Sequence, residues 1–192
     1  MKTRLLILTA SITMAASLQS SADIISGPVF NPGTGHFYYL LSQNTWTNSE
    51  IEAVTLGGHL VTLNDQAEND WVFDTFANFG GQSRALWTGY NDQQSEGTFV
   101  WSSGETPAFI NWSGGQPDNG SPGPDPPGED FVHLLWPGHP SNGAWNDFQD
   151  LPFVNDFPLH GVVEVPETGT AILLMAMALT LTGYRRKRMR HN

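Results

Sequence analysis

The sequence predicts an α+β domain with two helices, antiparallel strands and a long polar loop. Helical periodicity is confined to two segments, residues 45–56 and 65–79. From residue 86 onward the chain reads as short strands and turns. Residues 111–147 carry oxygen-bearing side chains in three clusters, interrupted by a Gly/Pro-rich insertion. At 192 residues the chain holds one domain plus terminal signals, long enough to bury a core.

Residues 36–41 form an apolar, aromatic run of strand length. Residues 45–56 read as the first helix, with Thr47 and Glu50 at capping-box spacing and Ile51 and Val54 facing inward. Gly57-Gly58 ends it, and residues 59–63 are strand-like. Asp65 and Glu68 repeat the capping-box spacing. They open a second helix whose Trp71, Val72, Thr75, Phe76 and Phe79 share a face, closed by Gly80-Gly81. Trp46, Trp87, Trp101, Trp112 and Trp145 belong in or near the core.

The termini read as signals. Residues 1–22 combine Lys2 and Arg4, an apolar run and small residues up to Ala22, the pattern of a secretory signal cleaved after Ala22. The domain then spans 23–165. Residues 166–192 begin with Pro166-Glu167, continue into an apolar stretch over 169–184, and end in an Arg/Lys cluster at 185–190. That stretch is barely long enough to span a bilayer, and the basic cluster would hold its end in the cytoplasm.

Charge separates these parts. All 19 acidic residues lie from Asp23 to Glu167, where Arg84 is the only Lys or Arg. Nucleic acid and anionic membrane surfaces are therefore poor partners, and divalent cations are favoured ones. The chain has no cysteine, so an exported domain of this composition needs another restraint in place of disulfides.

The polar loop supplies candidate ligands: Gln116 and Asp118, then Glu129, then Asn146 and Asp147. These are hard oxygen donors, which suit Ca²⁺. Without a cation, so many gathered carboxylates would repel one another. A cis bond before Pro117 would fan its neighbours toward one point. The histidines show no His-Glu-x-x-His spacing, and neither a Gly-x-Ser-x-Gly elbow nor a cysteine nucleophile is present. A glycosidase pair drawn from these carboxylates would compete with their use as metal ligands, so the reading is non-enzymatic.

Gln116-Pro117-Asp118, Glu129 and Trp145-Asn146-Asp147 resemble the calcium- and sugar-binding signature of C-type lectin domains. His36-Phe37-Tyr38-Tyr39, residues 57–63, Trp87-Thr88-Gly89-Tyr90-Asn91-Asp92, residues 96–101 and Asn111-Trp112 resemble the family's landmarks in order. The resemblance implies a C-type lectin-like fold over residues 30–165. It also implies Ca²⁺ as cofactor and a carbohydrate or extracellular polysaccharide as partner. Gln-Pro-Asp in place of Glu-Pro-Asn implies galactose-type preference, although Asn119-Gly120 stands where a stacking Trp is expected. Trp136 is a second candidate for stacking on a sugar ring, or else packs against its own loop. The family's usual cysteine positions are taken by Ala53, Phe131, Asp150 and Val163. The alternative reading is a surface interaction module with structural calcium and a protein or polymer ligand. The C-terminal end resembles the bacterial PEP-CTERM sorting signal. That implies processing near Pro166-Glu167 by an exosortase-type enzyme, membrane association through the tail at least until then, and a final place at the cell surface or outside the cell.

Overall fold

Along the central strands, apolar side chains come in adjacent pairs, and each pair is split between two faces of one sheet. Leu40 and Leu41, Leu60 and Val61, Leu86 and Trp87, and Val162 and Val163 each place one member in either of two core clusters. Successive strand side chains point to opposite faces, so a strand covered on both sides reads as a continuous apolar run. The computed structural model describes residues 24–120 and 128–167. The signal segment with Ala22, insertion residues 121–127 and the tail beyond Glu167 lie outside the described residues.

The strands are β1 (Ile24–Asn31), β2 (His36–Gln43), β3 (His59–Leu60), β4 (Ala85–Asn91), β5 (Val100–Trp101), β6 (Phe131–Leu134), β7 (Trp145–Phe148), β8 (Phe153–Val154) and β9 (Phe157–Val165). Their order is β1-β2-β9-β4-β6-β7, with β3 and β8 added to β9 and β5 to β4. The pairings are antiparallel except β4 with β9, which run parallel. The sheet is thus mixed where the sequence suggested antiparallel pairing throughout. Strand β1, which precedes the first strand read from the sequence, is a further addition.

Helix α1 (Trp46–Thr55) corrects two expectations. Its N-cap is Thr45, whose side chain accepts from the Asn48 amide, so Thr47 and Glu50 do not form the capping box. Glu50 instead accepts from the Leu60 amide at 2.9 Å and from Ser102 Oγ at 3.1 Å, and meets His59 Nδ1 at 2.6 Å. Nor do Ile51 and Val54 face inward; they are 47% and 55% exposed. The buried positions are Trp46, Ser49 and Ala53. Small residues are needed there because the helix lies close to the sheet: a Cβ on Gly161 would stand 2.9 Å from Ser49 Cβ. Hydrophobicity pointed to the wrong face because close approach selected small side chains.

Helix α2 (Gln66–Phe76) starts as predicted, with Asp65 accepting from the Glu68 amide at 2.9 Å. Val72 and Phe76 are buried, Trp71 and Thr75 are half-buried, and Phe79 lies beyond the helix, 39% exposed. Glu68 does not reach back to its cap. It turns inward, accepting from the Asn64 amide and from Tyr38 Oη at 2.7 Å. Tyr38 Oη also lies 3.0 Å from Glu164, which holds the Thr62 amide and His36. This polar network fastens α2 to β2 and β9.

The positions that usually carry cysteine in the resembling family have substitutes. Ala53 and Val163 are both fully buried in one core cluster. Phe131 stacks on Trp46 with ring centroids 4.5 Å apart, while Asp150 accepts from the Thr47 amide at 3.1 Å. Phe131 and Asp150 each act on the first turn of α1. One packs against that turn and the other accepts from its backbone.

Candidate metal centre

Asp147 is brought into place by the alternation of β7, which buries Trp145 and Asp147 and leaves Asn146 and Phe148 half-buried. Trp145, fully buried and bonded through Nε1 to Asn69 Oδ1 at 2.8 Å, anchors that register. Strand β6 lies alongside, pairing Val132 with Asp147 and His133 with Asn146. Glu129 stands just before β6. The loop after Trp112 delivers Gln116, Pro117 and Asp118, and the Gln116-Pro117 peptide is cis, as the sequence suggested.

One carboxylate oxygen from each of Asp118, Glu129 and Asp147 falls within 4.8 Å of the others. Asp118 is exposed, whereas Glu129 and Asp147 are 7% and 1% exposed. The cluster is therefore open on its Asp118 side. Backbone amides of the loop are aimed at the two buried members. Asp147 accepts from the Asp118 and Asn119 amides at 3.3 and 2.9 Å, and Glu129 accepts from the Gly120 amide at 3.1 Å.

Asn119, noted in the sequence only for standing where a stacking Trp is expected, holds the loop. Its side-chain oxygen accepts from the Glu129 amide at 2.7 Å, while its own backbone has a positive φ of 47°. Asn tolerates that conformation better than most residues. Gly128 is required opposite it, because a Cβ there would lie 1.8 Å from Asn119 Oδ1. The Asn-Gly dipeptide at 119–120 was the available signal for such a turn.

Burial pushes the Glu129 carboxyl up to about 7, with the Gly120 amide opposing and the Asp147 and Asp118 charges adding to the rise. Burial also raises Asp147, against the pull of the Asn119 and Asp118 amides. Both groups carry desolvation and mutual repulsion that a bound cation would offset. Gln116 adds an independent sign, since its Oε1 is buried without a hydrogen-bond partner. Orphaned buried acceptors of this kind are rare. With only hard oxygens in the set, the residues fit Ca²⁺.

Asn146 is oriented from within the protein. Its Nδ2 donates to the Asp147 carbonyl and lies 3.5 Å from His133 Nε2. His133 is fully buried, and burial lowers its pKa to about 4, so the ring is neutral. Its Nδ1 lies 3.1 Å from the Leu134 carbonyl, an acceptor only, so Nδ1 carries the proton and Nε2 accepts. The Asn146 amine is thus spent on protein partners, which leaves its carbonyl oxygen for a cation. His133 is thus a buried, satisfied histidine that also orients Asn146.

Trp136 is half-buried. It stacks on Phe157 with centroids 4.7 Å apart and an interplanar angle of 17°, and meets His139 edge-on. One face of its indole is therefore covered by the protein itself. A further buried carboxylate lies nearby in sequence to β4. Asp92 accepts from the Gly97 amide, has an unpartnered Oδ1, and is raised to about 6, first by burial and then, against that amide, by Glu96 and Asp130.

Comparison with known proteins agrees with this architecture. The mouse (Mus musculus) low affinity immunoglobulin epsilon Fc receptor is 30% identical over 111 residues, 58% of this chain and 29% of that one. Lectin BRA-3 of Megabalanus rosa is 35% identical over 88 residues, 44% of this chain and 51% of that one. The chain thus spans about half or less of these relatives. The human scavenger receptor C-type lectin carbohydrate-recognition domain superposes with a TM-score of 0.57 at 27% identity, over 74% of this chain and 99% of that one. The family model for the lectin C-type domain matches residues 42–151, more than half of the sequence, and the protein belongs to that family.

Proposed function

We propose that the protein is an exported, calcium-dependent carbohydrate-binding protein. The observation that carries this reading is the convergence of the Asp118, Glu129 and Asp147 carboxylates beside the orphaned Gln116 oxygen. Gln116, Asp118, Glu129, Asn146 and Asp147 would hold Ca²⁺, which when bound offers coordination positions to two vicinal sugar hydroxyls. The same side chains hydrogen-bond to those hydroxyls, the carboxylates as acceptors and the Gln116 amide as a donor. Gln-Pro-Asp at 116–118 supports a galactose-type preference, and binding rather than catalysis is the whole activity.

Thermal unfolding tests the reading. At roughly 100-fold excess over Kd, Ca²⁺ stabilises the folded state by about 2.7 kcal/mol. For a domain of this size the melting temperature rises by roughly 5–10 °C. The rise is lost in EDTA and in Asp147→Ala, and galactose adds a further increment that mannose does not. No response to Ca²⁺ would remove the metal site from this account.

A second reading has two observations in its favour. The face of Trp136 turned to Phe157 is unavailable to a sugar, and Asn119 stands at the other expected stacking position. On that reading Ca²⁺ would only hold the loop, and the ligand would be a protein or polymer. A Ca²⁺ response with no response to any simple sugar would select it.

Export and sorting belong to the same proposal. Cleavage after Ala22, exosortase-type processing near Pro166-Glu167 and transient anchoring by residues 168–192 would place the domain at the cell surface. Among the described residues, no helix is long and apolar enough to cross a membrane. Intact-mass measurement of the mature protein reads both cleavages directly, and retention of the basic C-terminus would overturn the sorting part.

A further inference from the structure

The one arginine of the domain is not on its surface. Arg84 is 2% exposed and lies under the end of α2, where it donates to the Phe76 carbonyl at 2.8 Å and the Phe79 carbonyl at 3.0 Å. It serves the unpaired carbonyls of a helix C-terminus. No other Lys or Arg occurs from Asp23 to Glu167.

The histidines do not fill the gap. His133 and His160 are buried, 0% and 4% exposed, and present no charge at the surface. His36 and His59 are each engaged with a carboxylate, Glu164 and Glu50. His139 Nδ1 accepts from the Ser141 amide, which requires that nitrogen to be unprotonated. Among the described residues, no cationic side chain is left to receive an anion.

At the site the imbalance is sharper. A divalent cation balances two of the three carboxylates of Asp118, Glu129 and Asp147, leaving one negative charge. Asp130 follows Glu129 in the chain, and its carbonyl accepts from the Asp92 amide, which brings that acidic turn up behind the site. An anionic group on a sugar docked here would meet a net negative charge within a Debye length and no cationic side chain to offset it.

We infer that the ligand taken at this site is an uncharged glycan, and that uronate-, sulfate- and sialate-bearing glycans are selected against. This rests on the carbohydrate reading above and narrows it to a chemical class. An acidic polymer would carry the penalty at every charged residue near the surface, so the discrimination grows with charge density. A neutral polymer carries none, and its recognition depends little on ionic strength.

The test uses the full-length protein and matched methyl glycosides of galactose and mannose, each against its C6-oxidised uronate, by calorimetric titration. Free Ca²⁺ is held constant, because uronates chelate it. In about 20 mM NaCl each uronate binds roughly tenfold more weakly than its neutral parent, and in about 0.5 M NaCl the gap narrows to about twofold. The neutral glycosides change by less than about twofold between the two salts. A uronate that binds as tightly as its parent at low salt overturns this inference and leaves the carbohydrate reading standing. Failure of all four to bind overturns both.

Discussion

His133 Nε2 lies 3.5 Å from Asn146 Nδ2, across a β6–β7 pair in which the two residues stand opposite each other. The Leu134 carbonyl fixes the tautomer of the ring, and the ring then fixes which end of the Asn146 amide faces outward. Groups that orient a ligand side chain commonly change metal affinity when lost. In His133→Leu the Ca²⁺ affinity falls by about tenfold, read by calorimetric titration. Much of it returns in His133→Gln, whose side-chain oxygen can again accept.

The proposed calcium binding would be linked to a proton through its ligand Glu129. Its carboxyl rises from an ordinary value of 4.5 to about 7, mainly through burial. In the metal-free protein its contribution to stability is fully present below pH 4.5 and is lost as pH rises through about 7. Ca²⁺ needs the ionised form, so its affinity weakens as pH falls below 7. Titrations near pH 6.5 in buffers of different ionisation enthalpy will show proton release on binding. The pH dependence of metal-free stability will flatten in Glu129→Gln.

Asp150 and Phe131 hold the start of α1 without a disulfide. Asp150→Ala removes an acceptor from the Thr47 amide and lowers stability by about 1 kcal/mol in urea unfolding. Phe131→Ala leaves a cavity against Trp46 and costs about 3–5 kcal/mol. Asp150→Asn retains most of the stability because its side-chain oxygen still accepts.

Tyr38 joins two buried carboxylates, Glu68 and Glu164, with one hydroxyl. Glu68 titrates above its usual range, chiefly through burial. Tyr38→Phe leaves both acids short of a donor and destabilises the domain by about 1–3 kcal/mol at neutral pH, measured by urea unfolding. The loss shrinks on acidification, because a protonated Glu68 no longer carries a buried charge that needs a donor.

Much of this was legible in the chain. The Asp65 cap, the strand runs and the buried tryptophans follow from local preference and periodicity, which every residue carries with it. The convergence of Asp118, Glu129 and Asp147 was foreshadowed in the chain, because oxygen-rich side chains between turn residues have few structural uses. The inward face of α1 was not legible, since Ser49 and Ala53 are buried for their smallness and Ile51 and Val54 are left in solvent. Glu50 looked like a capping residue but is taken by tertiary partners, whereas Glu68 keeps a local one, the Asn64 amide, and adds Tyr38.

The sequence by itself determined the two-helix α+β class, the family resemblance, the preponderance of acidic residues and which oxygen-bearing side chains stand as candidate donors. These rest on composition and on short-range order, which need no third dimension. Only the tertiary structure decided that β4 and β9 run parallel, that Arg84 is buried, and that His133 sits behind Asn146. Each of these depends on segments far apart in the chain meeting at one place, and packing rather than local preference selects that meeting.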